Sequence, residues 1–465
     1  FVYTHLSNGM PNNNRYPAIC ENSKGERLAI FRSGNKRGML YTIFQDGTWS
    51  KPAPIPNQEV VEGDYLGTDI VVDSEDRFHV VWEIMEELVY YASFKDGAWT
   101  GPVRVPWPGR YEGFQLCLDI RSNDELAVVS TCRFVGGIKD IIIGFRGKSE
   151  SNFSRFMNLT DDRESSSTPA VSADANDHLW VAYKGEVFGL GDEVLRACVV
   201  HLNKKNVIVG RAQPSANDSG YAFLEWVAAN KTNGLVMVTW WQGNAFRSSW
   251  YDPATKKWST PTLIGVGTPR RKFTMWNKVV AQGNDFYCLA RDGSDILHVV
   301  KFNGETRSWE NPIPVYDKRT FSFDLFPSNG NILIVFSTYE DPSQVYFTSM
   351  VGSYEAPKIR VKSAVNVQVA TEMERSFFSG YYFNHITWEN NPWNIEREVE
   401  ISYFNLYRKL KTETEYGETP YQAQIPATQF YFDDKSGIEA NPLYDYAVTC
   451  VTMVNDEPVE SIIEY

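Results

Sequence analysis

The sequence predicts an all-β chain: a seven-bladed β-propeller of four-stranded blades, followed by a second β module. Three observations predict it. A phrase is written twice, "DGTWSKPAPIP" from Asp46 to Pro56 and "DGAWTGPVRVP" from Asp96 to Pro106. A polar turn followed by an apolar strand recurs at a nearly constant spacing along most of the chain. Aromatic residues make up 14% of the composition, and flat rings pack well on pleated strands.

The repeat is the strongest signal. W-x-x-P occurs at Trp49/Pro52, Trp99/Pro102, Trp258/Pro261 and Trp309/Pro312, with steps of 50, 159 and 51 between the tryptophans. The middle step is three times 53, so a period near fifty runs through it. The turn-then-strand marker places its first apolar residue at Leu28, Phe78, Leu126, Leu179, Leu235, Phe286 and Ile332, seven copies in all. In the first copy the strands read "YPAIC", "RLAIF", "MLYTIF" and "TWSKPAPI", separated by Gly, Asn, Asp and Ser turns. Four strands in such a period is the arithmetic of a propeller blade. Proline puts the W-x-x-P strand outermost, because it cannot donate to an interior ladder. Its tryptophan is expected to wedge against a neighbouring repeat. The seventh copy lacks a fourth strand, and "FVYTHLS" at the N-terminus is expected to supply it, closing the ring.

The period covers residues 1–355 and stops at Ala356, which predicts a second domain over 356–465. There, "HITWENNP", "ISYFNLYRKL" and "IEANPLYDYAVTCVT" resemble strands of a fibronectin type III domain. The resemblance implies a β-sandwich with Trp388 in its core and Tyr444 as the corner tyrosine, its hydroxyl bonded back to the backbone. "RSFFSGYYF" crowds Phe377, Phe378, Tyr381, Tyr382 and Phe383 together, more rings than one inward face hides. They form a candidate interface, for self-assembly or for docking.

Bulk composition excludes some functions. A formal charge of −13 argues against nucleic acid, since neutralising phosphates needs clustered Lys and Arg. No apolar run is long enough to span a bilayer, and "FVYTHLSNGM" is not a signal peptide, so an export signal is expected to have been removed already. The six cysteines form no C-x-x-C pair, and no cofactor or metal is expected. The turns "DSED" (Asp73–Asp76) and "DAND" (Asp174–Asp177) read as Asx-turns, not calcium loops.

Ligand chemistry is expected where the loops before each first strand converge. Those loops carry Arg15, Tyr65, Arg110, Tyr111, Arg163, Tyr221, Arg271 and Arg319, and the turns between second and third strands add Trp240 and Trp241. Arginines grip carboxylates in a bidentate fork while rings stack on sugar faces, so an anionic sugar suits this lip. "RYPAICENSKGERLAIF" resembles the opening of sialidases and the wider BNR-repeat superfamily. That resemblance implies that Arg15 is the first arginine of a carboxylate-binding triad. The histidines lie in strands or turns, with none marked as a base at the mouth. The favoured expectation is an exported bacterial protein, extracellular or at the cell surface, that binds carbohydrate or another surface protein without catalysis. The alternatives are a sialidase-like glycosidase or polysaccharide lyase acting on an acidic sugar, and a subunit of an extracellular polymer.

Overall fold

The computed structural model describes residues 1–8, 10, 13–34, 38–58, 67–84, 88–108, 110–111, 115–133, 139–160, 165–187, 194–215, 222–242, 245–266, 277–339, 343–352, 362–375, 380–396, 399–413, 416–417, 419–438, 444–454 and 457–461. Its contacts cluster into two compact units, Phe1–Glu355 and Ala356–Tyr465.

In the first unit each sequence repeat folds into antiparallel strands paired with their chain neighbours. The second repeat shows the plan: Thr68–Val72, Phe78–Ile84, Leu88–Lys95 and Ala98–Arg104 lie side by side in chain order. Phe78–Ile84 is buried at every position, as befits a strand covered on both faces.

The expectation of a closed seven-bladed propeller is corrected. The described strands of this unit form six separate sheets, and no sheet is curled into a ring. The sixth and seventh repeats share one eight-stranded sheet because Ile313–Ser328 runs on as a single strand. It pairs first with Ile296–Asn303 of the sixth repeat and then with Asn331–Thr338 of the seventh. That stretch holds no glycine or asparagine to turn the chain where the repeat was expected to break. Thr4–His5 does pair with Val345–Val351, but at the edge of this open sheet, and it closes none.

Between repeats, side chains take over from ladder bonds. First strands of neighbouring repeats pack together without sharing a ladder. Asp324 accepts from the Ile19 amide over 2.9 Å, Asp69 from Leu118 over 2.8 Å and Asp119 from Ala173 over 2.7 Å. The turns after these strands form a second series. Asp76, Asp124 and Asp177 sit at φ near +60° and accept from the amides of Ser23, Ser74 and Ser122 in the preceding repeat. Such φ values suit Asp, whose short side chain tolerates the left-handed region. The W-x-x-P tryptophans also reach backwards. Trp99 meets Tyr41 at 5.0 Å, Trp258 meets Trp180 at 6.3 Å, and Trp309 donates to Ser248 over 2.8 Å. All six cysteines are free and buried.

The second unit holds a three-stranded sheet (Val365–Arg375, Gly380–Glu389, Tyr431–Ile438) and a four-stranded one (Gln422–Pro426, Tyr403–Leu410, Tyr444–Val454, Glu457–Glu460). Trp388 is buried in its core with Phe404, Leu406 and Cys450. The expectation of a fibronectin type III sandwich is corrected: the described strands of this unit form two separate small sheets, and the corner tyrosine is not the one expected. The buried hydroxyl belongs to Tyr446, not Tyr444, and it donates to the Asp434 carboxylate over 2.7 Å where a backbone partner was expected. Asp434 also takes Arg408 and Tyr421 at 2.7 Å, so a charged knot organises the two small sheets. Tyr444 instead lies under the Arg408 guanidinium, 4.2 Å from its ring centre.

Candidate functional site

Of the lip residues expected to bind ligand, the structure brings two together. The Arg15 guanidinium lies 4.2 Å over the Phe321 ring, Phe321 meets Tyr339 edge-on at 5.4 Å, and Arg319 lies 4.3 Å over Tyr339. Arg319 is also paired with Asp295 over 2.7 Å. Beside them Arg291 is buried and donates to the Thr320 carbonyl over 2.7 Å, and burial pulls its pKa down to about 10. Arg110 and Tyr111 form a short strand opposite Arg133 and Cys132. Trp240 and Trp241 are buried in the core, with the Trp240 indole N–H on Gln242. Tyr65, Arg163, Tyr221 and Arg271 lie outside the described residues, as do Phe377 and Phe378. In the aromatic segment of the second unit, Tyr381 is 43% exposed and its hydroxyl bonds Glu374, while Tyr382 and Phe383 are half-buried.

Deeper in, the first strands surround a cation. Lys278 bonds Asp324 and sits 3.3 Å from Asp69, with its ammonium 4.8 Å over the Trp226 ring. Burial works against its charge, but Asp324 and Asp69 outweigh that and hold its pKa above that of a free lysine. The cavity beside it holds only about 60 Å3, room for little more than water. This is a pinned internal ion pair, not a substrate pocket.

The larger opening is elsewhere. A groove of about 490 Å3 runs between the second and third repeats, lined by Asp73, His79, Tyr91, Arg146 and Lys148 among others. Its volume lies in the range of small-molecule sites. His79 is the second residue of Phe78–Ile84, and Tyr91 stands in the neighbouring strand Leu88–Lys95. The Tyr91 hydroxyl is 2.8 Å from His79 Nδ1, and His79 Nε2 is 3.1 Å from Asp73 Oδ2. A carboxylate only accepts, so Nε2 carries the proton and Nδ1 accepts from the phenol. Asp73 Oδ1 is fixed in turn by the amides of Glu75 and Arg77. That bonding makes "DSED" the Asx-turn expected from the sequence.

Burial sets the resting protonation states of the relay. Burial lowers the His79 pKa despite Asp73, so the imidazole is neutral at pH 7 and free to accept. Burial also raises the Tyr91 pKa, against the pull of Arg146, whose guanidinium lies 5.0 Å over its ring. Burial opposes the Asp73 charge, but the His79 bond and the turn amides win and hold its pKa below the usual carboxylate value. Lys148 lies at the edge of the groove, bridging Glu75 at 2.7 Å and Asp124 at 3.1 Å. The relay thus couples a hydroxyl to an imidazole to a carboxylate, with a guanidinium alongside.

Sequence reasoning passed over His79 as a strand histidine. The available signal was the spacing from the turn aspartate. Asp73 and His79 stand six apart, and Asp174 and Trp180 repeat that spacing with the Trp180 indole N–H on Asp174 at 2.9 Å. The aspartate-to-ring bond is therefore scaffold: His298 Nε2 meets Asp292 Oδ2 at the same spacing and 3.1 Å, so what sets His79 apart is the Tyr91 phenol on its other ring nitrogen.

No family model matches the chain. No curated protein matches it either. Solved structures do resemble it. One is an ulvan lyase of polysaccharide lyase family PL25 bound to GlcA(1-4)Rha3S, 11% identical, with a TM-score of 0.50 over 76% of this chain and 96% of that one. A second is the polysaccharide lyase Uly1, 8% identical, with a TM-score of 0.49 over 74% and 90%. A third is the GH93 α-L-arabinofuranosidase of Fusarium graminearum in complex with arabinobiose, 11% identical, at 0.44 over 75% and 97%. At such identities the first shows a shared fold alone. The sialidase and BNR-repeat resemblance is overturned: no sheet among the described residues closes into a ring, and the solved structure matched at a TM-score of 0.50 is a polysaccharide lyase.

Proposed function

We propose that the protein acts on an acidic, uronate-containing polysaccharide outside the cell, cleaving it by β-elimination in the groove between the second and third repeats. The observation that carries this reading is the Tyr91–His79–Asp73 relay with Arg146 beside it in one groove of saccharide size. Elimination needs a base for the proton next to the sugar carboxylate and a cation to ease the charge that builds on that carboxylate. Tyr91 would take the C5 proton while passing its own to His79. The C4–C5 double bond forms as the C4–O bond breaks, the Tyr91 hydroxyl gives the C5 proton to the leaving oxygen, and His79 returns the first proton to Tyr91. Arg146 or Lys148 would hold the carboxylate. Likeness in fold to a lyase bound to a glucuronate-containing ligand supports the substrate class. We also take residues 1–355 and 356–465 as two domains, with the chemistry in the first.

Incubation with a glucuronate-containing sulfated polysaccharide tests the reading. New ultraviolet absorbance from unsaturated sugar ends should appear with wild-type protein. Tyr91→Phe should lose activity by about 100-fold or more, the usual share of an acid–base group. New reducing ends without that absorbance would show hydrolysis and sink the elimination step.

A second reading, carbohydrate binding without cleavage, is favoured by the Arg15–Phe321–Tyr339–Arg319 cluster, which sets two guanidinium groups on two rings. It predicts that Arg15→Ala weakens retention on an acidic polysaccharide column while Tyr91→Phe does not.

A further inference from the structure

We propose that Asp174, His178 and His201, in the fourth repeat, form a binding site for a divalent first-row metal ion such as Zn2+, with at least one coordination position open to water. His178 Nδ1 and His201 Nε2 face one another at 2.9 Å, and an Asp174 carboxylate oxygen lies within 4.8 Å of both. In a tetrahedral zinc site with bonds of about 2.0–2.1 Å, two ligand nitrogens stand roughly 3.3 Å apart. To admit the ion in place of the proton they share, the rings part by a few tenths of an ångström and tilt so that both lone pairs meet at it, and the Asp174 oxygen closes in from within 4.8 Å.

The surroundings orient these groups as second partners orient metal ligands. The Trp180 indole N–H donates to Asp174 Oδ2 over 2.9 Å, leaving that oxygen a further lone pair. Asp174 Oδ1 is held by the amides of Asn176 at 2.8 Å and His178 at 3.0 Å. The same indole stacks on the His201 ring at 3.8 Å and 9° between planes. One tryptophan therefore fixes both a carboxylate and an imidazole. Two imidazoles and a carboxylate without a thiolate select Zn2+, Ni2+ or Cu2+ over the harder Mg2+ and Ca2+. The site is remote in sequence from the groove residues and does not depend on the activity proposed there.

Calorimetric titration of the whole protein with Zn2+ tests the site directly. Wild-type protein should take up one equivalent that His178→Gln and His201→Gln each bind at least about 100-fold more weakly, and Trp180→Phe about 10-fold more weakly, the usual effect of losing an outer partner. Thermal melts establish that the variants fold. Should a variant not fold, the wild-type spectrum with Co2+ decides: strong visible bands of four- or five-coordinate cobalt are expected, and the weak spectrum of the hydrated ion would overturn the proposal. Equal Zn2+ affinity in folded His178→Gln, His201→Gln and wild-type protein would overturn it too.

Discussion

Glu225 is fully buried, and the Thr168 hydroxyl donates to its Oε2 over 3.0 Å. Burial pushes its pKa up to about 8, so at neutral pH it is largely a protonated acid. Folding then takes up a proton wherever the unfolded carboxyl, with an ordinary pKa near 4.5, would be charged. The contribution of this group to stability is therefore full below about pH 4.5 and falls as pH rises toward about 8. Denaturation of wild-type protein and Glu225→Gln at pH 5 and pH 8 measures the effect. The wild type should lose stability relative to the variant over that interval, on the order of a few kcal/mol. A constant difference between the two would mean that the carboxyl is charged in the fold and has a partner. The same logic runs the other way at His201, whose depressed pKa of about 4 favours the neutral ring. Its contribution is present above about pH 6.5 and is lost as pH falls toward 4.

At the scale of the elements, what joins one repeat to the next is a set of carboxylates on first strands. Asp119 is the simplest to test: one oxygen accepts from the Ala173 amide of the next repeat over 2.7 Å and the other from the Ile120 amide. Asp119→Ala leaves a buried amide without its acceptor, which costs about 1–3 kcal/mol, whereas Asp119→Asn keeps an acceptor oxygen and costs less. Equal melting shifts for the two would show that charge, not the bond to Ala173, is what the position supplies. This level of structure explains what the sequence made legible. The tryptophans, the turn aspartates and the apolar second strands follow local rules of period, turn chemistry and burial, and each is where the repeat places it. The joining of the last two repeats was not legible, because it depends on the absence of a turn within Ile313–Ser328, whose Asp317-Lys318 pair reads as a loop. The groove was hidden for a related reason. Tyr91 and Arg146 lie 55 residues apart on different repeats, and only packing of neighbouring sheets brings the guanidinium over the ring. The lip arginines were named from loop positions, and Arg15 meets Arg319 only through Phe321 and Tyr339, two rings never marked as part of a site.

For the first unit as a whole, the N-terminal strand ties the beginning of the chain to its last repeat. Thr4 and His5 extend the sheet at Phe347 and Tyr346, and the Tyr3 hydroxyl donates to the Val315 carbonyl over 2.6 Å. Ser7 accepts from the Val345 amide over 2.9 Å, and Leu6 is 3% exposed among Ile19, Phe31, Val335 and Phe347. That cluster draws on the first and seventh repeats together, so the strand works as a clasp between elements more than three hundred residues apart in sequence. Without it, Val345–Val351 becomes an open edge with unpaired amides and carbonyls, a template for pairing with another chain. Leu6→Ala should cost about 2–5 kcal/mol, the range for a large-to-small change in a packed core, while leaving the edge paired. Deleting residues 1–7 removes the same contact and bares the edge as well, so it should lower the melting temperature further and add concentration-dependent association. Light scattering beside the thermal melt separates the two effects. Association in the deletion but not in Leu6→Ala assigns it to the open edge; association in both would place its cause in the loosened core. A deletion that melts with the wild type would show that the first and last repeats hold together without the clasp.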